Sequence, residues 1–167
     1  MPGSPTEGTG GRLTVAVADY LWFADRALSQ MVDIVETLGD DLANRRPSLE
    51  GANSAFVILT HCLGVMEYWA GATVAERPYR RDRPAEFTAS GDVAALVRRA
   101  EEARRRLHED LSSFDSGATP ANVLRDLDDP VPYTEVKGAV PLHIMEELYQ
   151  HLGQMELTRD MLLAGPA

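Results

Sequence analysis

The sequence predicts an all-α fold, a four-helix bundle with long links between its helices. Four segments repeat apolar residues at three- and four-residue spacing, the mark of one buried helical face. None of the connections between them shows the apolar/polar alternation of a well-formed strand. A chain of 167 residues that is 44% hydrophobic and 25% charged supplies one core of ordinary size and little room for a second. The expected organisation is a single helical domain over 12–167 behind a flexible leader at 1–11. That leader is rich in Gly, Ser, Thr and Pro and lacks the apolar stretch of a signal peptide.

The first helix is expected over about Arg12 to Leu38. Its stripe is Leu13, Val17, Leu21, Ala24, Leu28, Met31, Val35 and Leu38, and Gly39 is its stop. The second runs from about Ser54 to Ala75, capped by Asn53 or Ser54 after a Pro47–Gly51 turn. Phe56, Leu59, Leu63, Met66 and Ala70 form one stripe and Val57, His61, Val65 and Tyr68 its neighbour, so this helix belongs at the centre of the packing. Arg77 to Pro84 carries two prolines and dense charge and reads as a basic loop. Asp92 to Phe114 is the third helix, with Leu96, Val97, Ala100, Ala103, Leu107, Leu111 and Phe114 on its buried seam. Asp115 to Val136 is an ordered excursion broken by Gly117, Pro120, Pro130 and Pro132, within which Val131 to Val136 could be extended. The fourth helix starts between Gly138 and Pro141 and ends near Leu163, before Gly165-Pro166.

Sixteen basic residues against 26 acidic ones give a net charge of −10. That field repels phosphate backbones and anionic lipid, so neither nucleic acid nor a membrane is expected as a partner. No uninterrupted apolar run approaches the ~18–20 residues that span a bilayer. The single cysteine, Cys62, excludes an internal disulfide and any Cys-x-x-Cys metal or redox motif, which fits a cytoplasmic location. No Gly-rich phosphate loop, nucleophilic serine context or His-Glu-x-x-His motif is present, so phosphoryl transfer and proteolysis have no support.

Two of the four histidines fall in the fourth helix with Glu147 between them. At 3.6 residues per turn, His143, Glu147 and His151 project from nearly one line. A carboxylate and an imidazole four residues apart reach a common divalent ion from adjacent turns. His61 sits among Val57, Ile58, Leu59 and Leu63, where an imidazole needs a partner, since an unsatisfied buried polar group costs about 1–3 kcal/mol. It is either a core histidine bonded to Glu147 or Tyr149, or a third metal ligand from the facing helix. Two histidines and a glutamate leave a position open, as catalytic zinc sites do, and nickel or iron fits the same donors. His143 is either a fourth donor, which would favour a structural site, or a neighbour of the first three. Cys62 points about 100° away from His61 and reads as a small core residue. Trp22, Trp69, Tyr20 and Tyr68 read as core or interface aromatics, of which some could wall a pocket. Glu67 and Glu146 serve either as acid–base groups or on a solvated face, and the arginines of the loop either bind an anion or balance nearby acids.

These segments together resemble the DinB-like superfamily of metal-binding four-helix bundles. The residues that carry the likeness are Arg46-Pro47-Ser48-Leu49, Asn53-Ser54, Thr60-His61-Cys62-Leu63-Gly64-Val65-Met66-Glu67-Tyr68-Trp69 and His143 through Asp160, with Glu147-x-x-x-His151-Leu152-Gly153-Gln154 at their centre. They are most similar to an actinobacterial branch of unknown function close to the mycothiol-dependent maleylpyruvate isomerases. The resemblance implies His61, Glu147 and His151 as the metal ligands, with water or a substrate thiolate beside them. Many relatives carry a further histidine where this chain has Gln154. It also implies a homodimer, and a small thiol such as mycothiol or bacillithiol as cosubstrate. The implied activity is S-transfer to, or thiol-assisted isomerisation of, a small electrophile. A metal-stabilised bundle without catalysis and a zinc-water hydrolase are the competing expectations.

Overall fold

The computed structural model describes residues 14–123 and 131–164. Among them the fold is all-α, with four long helices packed together. Helix α1 (Val17–Ala43) packs on α4 (Val93–Leu111) and α6 (Val140–Ala164), and the central helix α2 (Ala55–Met66) packs on the same two. Two single turns, α3 (Arg83–Glu86) and α5 (Pro132–Glu135), lie in the connections. The leader at 1–11, the expected first residues of α1 and the Gly165-Pro166 stop lie outside the described residues.

On α1 the stripe from Ala24 through Leu28, Met31, Val35 and Leu38 is buried as its spacing predicts, whereas Leu21 is half-buried and Val17 exposed. Gly39 does break the helix, with φ 62° and ψ 177°, a conformation essentially restricted to glycine. The chain then recovers one more turn and reaches Ala43. That turn is useful: the Asp40 carboxylate accepts the Val93 N–H at 2.7 Å and so satisfies a free donor at the start of α4. Asn44 grips both the N–H and the carbonyl of Gly91. Asp92, the expected start of this helix, is instead its cap, accepting the Ala95 N–H.

Ser54 caps α2, accepting the Val57 N–H at 3.2 Å, and every residue from Ala55 to Met66 is buried. The helix continues beyond Met66 with a changed pitch, because Glu67–Val74 is a π-helix. Apolar side chains fill both its faces, so sequence periodicity carries no trace of the wider turn. By length and a mean hydropathy of 1.3, Ala55–Val74 could cross a membrane, yet 94% of that stretch is buried inside the bundle.

The basic loop differs from expectation in containing α3, capped by the Asp82 side chain on the Ala85 N–H and started by Pro84 in its first turn. Val131–Val136 is likewise a helical turn in place of an extended strand, with Pro132 at its start. On α4 the expected seam is buried at Leu96, Ala100, Ala103, Leu107 and Leu111, while the helix ends before Phe114, which is half-buried. The described part of the Asp115–Val136 excursion, and Lys137 just after it, are tied to the end of the π-helix. Ala121 donates to the Thr73 carbonyl, Asn122 to that of Ala72, and the buried Lys137 ammonium to that of Val74. Helix α6 follows a 3₁₀ turn at Lys137–Ala139, with Pro141 in its first turn.

Candidate metal centre

Helix α2 brings His61 to the inner face of α6, and the four-residue period of α6 stacks Glu147 below His151. His61 Nε2 and His151 Nε2 lie 3.5 Å and 3.1 Å from the same oxygen, Glu147 Oε2. One donor atom from each of the three residues falls within 4.8 Å of the other two, the spacing of a group that could hold a metal ion. The two imidazoles meet edge to face with centroids 5.0 Å apart.

Each imidazole is held from behind. His61 Nδ1 donates to Glu86 Oε2 at 2.8 Å, and His151 Nδ1 donates to Gln154 Oε1 at 2.9 Å. Glu86 is itself clamped by Arg81, whose Nε and Nη2 donate to its two oxygens at 2.7 Å and 2.9 Å. With both Nδ1 atoms engaged, both Nε2 atoms are turned toward Glu147, where each would offer its lone pair to a bound cation once it gives up its proton. Gln154 is therefore an orienting partner of His151.

The electrostatics follow from burial and pairing. Burial of His61 disfavours its cation, but hydrogen bonds to Glu147 and Glu86 together with the charge of Glu86 outweigh it, and its pKa rises above the ordinary 6.5. Hydrogen bonds from His151 and His61 hold the Glu147 carboxyl well below the usual carboxylate range in spite of burial. Burial acts to raise Glu86, and the hydrogen bonds from His61 and Arg81 reverse it to a net lowering. In the metal-free protein the His61 ring thus sits between two carboxylates that favour its protonated form. A divalent cation meets the same donor set, two imidazole nitrogens and a carboxylate oxygen, so the residues present fit such an ion.

His143 reaches this group from the other side. Its Nε2 lies 3.7 Å from Glu147 Oε1, and its Nδ1 faces Glu146 Oε2 at 3.5 Å. Its ring stacks on Tyr133 with centroids 3.9 Å apart and meets the edge of Trp69 at 5.2 Å. The π-helix contributes Trp69 and the turn α5 contributes Tyr133, so an aromatic wall flanks the donors. Burial, then the charges of Glu146 and Glu147, push the Tyr133 phenol up. Phe87 packs against His61 with ring centroids 5.1 Å apart.

The remaining candidates lie apart. Cys62 is fully buried and its thiol is pushed up by desolvation, in keeping with a core residue. Tyr20, Tyr68 and Trp69 are buried, whereas Trp22 is exposed. Glu67 is bound by Arg99 and Tyr79. Arg77 pairs with Asp110 on α4, so two of the loop arginines are committed to acids. His108 bridges α4 to Asp25 of α1 at 2.9 Å.

The sequence pattern pointed to His61, Glu147 and His151 and missed Glu86. Its only local signal is the Asp82 cap that sets the α3 turn, which says nothing of where the carboxylate goes. No curated protein and no solved structure matches this chain. The family model of the DinB superfamily matches residues 24–155, a span that takes in all three donors, and the chain belongs to that superfamily.

Proposed function

We propose that this protein is a divalent-metal-dependent enzyme, with zinc the preferred ion and His61, Glu147 and His151 its ligands. It activates a small thiol such as mycothiol for S-transfer to, or isomerisation of, a small electrophile. The observation that carries the reading is the shared approach of two Nε2 atoms to one oxygen of Glu147. A bound divalent cation supplies Lewis acidity, which lowers the pKa of a thiol or water beside it. Three protein donors leave room for such a ligand. The chain's own residues do the rest. Glu147 brings negative charge, Glu86 and Gln154 orient the imidazoles, and Trp69, Tyr133 and His143 wall one side. The choice of thiol rests on resemblance to the mycothiol-dependent branch.

The same reading makes the protein a cytoplasmic homodimer. Leu142, Tyr149 and Leu157 on α6, with Trp22 and Phe23 on α1, supply the exposed apolar surface for the contact. The test is metal analysis of the purified protein, then incubation of the zinc-loaded form with mycothiol and a generic electrophile. Conjugation that disappears in His151→Ala supports the transferase. Retained zinc with no turnover of any thiol replaces it by a metal-stabilised bundle.

A further inference from the structure

The metal proposed above accounts for one end of His61 and leaves the other unexplained. At Nδ1 the ring meets Glu86, a carboxylate only 6% exposed although it belongs to a four-residue turn in a highly charged loop. Several features converge to keep it there. Arg81 donates twice to it and lies over the Tyr68 ring at 5.9 Å. Asp82 caps the turn, and Arg46 Nη2 donates to the Phe87 carbonyl just past its end at 2.8 Å. Gly64, one helical turn beyond His61, opens the slot: a Cβ there would fall 2.3 Å from Glu86 Oε1. Burying an ion pair gains little stability over apolar packing of the same volume, so stability alone does not explain the arrangement.

We infer that Glu86, clamped by Arg81 in the slot that Gly64 leaves, is a positioning residue for metal binding. It fixes His61 as the Nδ1–H tautomer, turns Nε2 onto the Glu147–His151 pair, and strengthens the ring as a donor. The inference rests on the proposed metal site. His151 has a neutral, exposed counterpart in Gln154, so the two ligands differ in kind: one is backed by a buried anion and the other by an amide at the surface. Outer-shell carboxylates of this type typically account for 10–100-fold in metal affinity.

The test uses the full chain and Zn²⁺ alone, titrated in competition with a chromophoric chelator. Glu86→Gln keeps the volume and removes the charge; Gly64→Ala keeps every charge and displaces the carboxylate. Both are expected to bind Zn²⁺ about 10–100-fold more weakly than wild type at unchanged stoichiometry. In the metal-free protein at alkaline pH, the ¹⁵N shifts of His61 are expected to report the Nδ1–H tautomer in wild type and a mixture in Glu86→Gln. Leu107→Ala, which empties a core position on α4, lowers stability and leaves zinc affinity unchanged, as would a Glu86 that only supported the fold. Should Glu86→Gln fail to fold, Gly64→Ala decides on the same criterion. Affinities within twofold of wild type in the folded variants would overturn the inference while leaving the metal site standing. Equal binding by wild type and His61→Ala would instead remove the site itself, and the inference with it.

Discussion

Of the three donors, His151 allows the cleanest perturbation, because its side chain is 18% exposed where that of His61 is 6%. Truncation to alanine costs the surface hydrogen bond to Gln154, the contact with Glu147 Oε2 and an edge contact with His61, and leaves the core beneath α6 intact. Losing a direct donor must exceed the loss attached to an outer-shell partner, so affinity for Zn²⁺ should fall by at least ~100-fold. A ligand at 100 times its dissociation constant stabilises the fold by about 2.7 kcal/mol, and at one times by about 0.4 kcal/mol. For a domain of this size each kcal/mol moves the melting temperature by ~2–4 °C. With free Zn²⁺ buffered at 100 times the wild-type Kd, wild type should therefore melt ~5–11 °C higher than in chelator, and His151→Ala only ~1–2 °C higher. Thermal unfolding followed by circular dichroism at fixed free Zn²⁺ measures both. Equal shifts in the two proteins would refute the assignment of His151, and the absence of any shift in wild type would refute the site.

His143→Ala is expected to weaken zinc binding less than His151→Ala in the same titration, since His143 faces the other oxygen of Glu147 and is stacked on Tyr133; an equal loss would make it a fourth ligand. The metal-free protein should lose stability as pH rises through the elevated pKa of His61, because its folded-state pKa lies above the ordinary 6.5 and the stabilisation is present only while the imidazolium persists. Glu147 and Glu86 act oppositely: their folded pKa values lie below the ordinary 4.5, so their contribution is complete above that value and fades as pH falls through the lowered ones. Urea unfolding in chelator from pH 2 to 9 checks both limbs, and a stability that climbs from pH 7 to 9 would contradict the contribution assigned to His61. Gly39→Ala should destabilise the fold by about 1–3 kcal/mol through backbone strain, with nothing within 4 Å for the added methyl to strike; denaturant midpoints at constant m-value give the number.

What the sequence made legible was whatever a repeating period or a local turn determines. The four long helices follow from apolar spacing, and Gly39, Ser54 and Asp92 act where punctuation residues are expected to act. The boundaries of α1 moved because a glycine can bend a helix without ending it, and the recovered turn is held by its bonds to the start of α4. The π-helix left no mark, since a segment buried all round offers no polar face against which a changed pitch could show. The sequence reads α3 as loop because prolines interrupt it and allows α5 to be extended, yet a proline suits the first turn of a helix, and four residues are too few for periodicity to register.

The same division runs through the site. Glu147 and His151 were legible because one helix fixes their relation, and His61 because an imidazole among valine and leucine demands a partner. That the partner at Nδ1 is Glu86 depended on three distant choices: an arginine that folds back, a capped turn that aims the carboxylate inward, and a glycine on α2 that leaves space. Each is ordinary in isolation, and only the packed chain makes them a unit. Charge in this loop is thus divided by use, Arg77 and Arg81 being drawn onto buried acids while Arg80 stays exposed. The consequence is chemical. A ligand histidine backed by a clamped anion arrives at the metal already oriented, so the cost of ordering the ring is met in folding and does not subtract from binding.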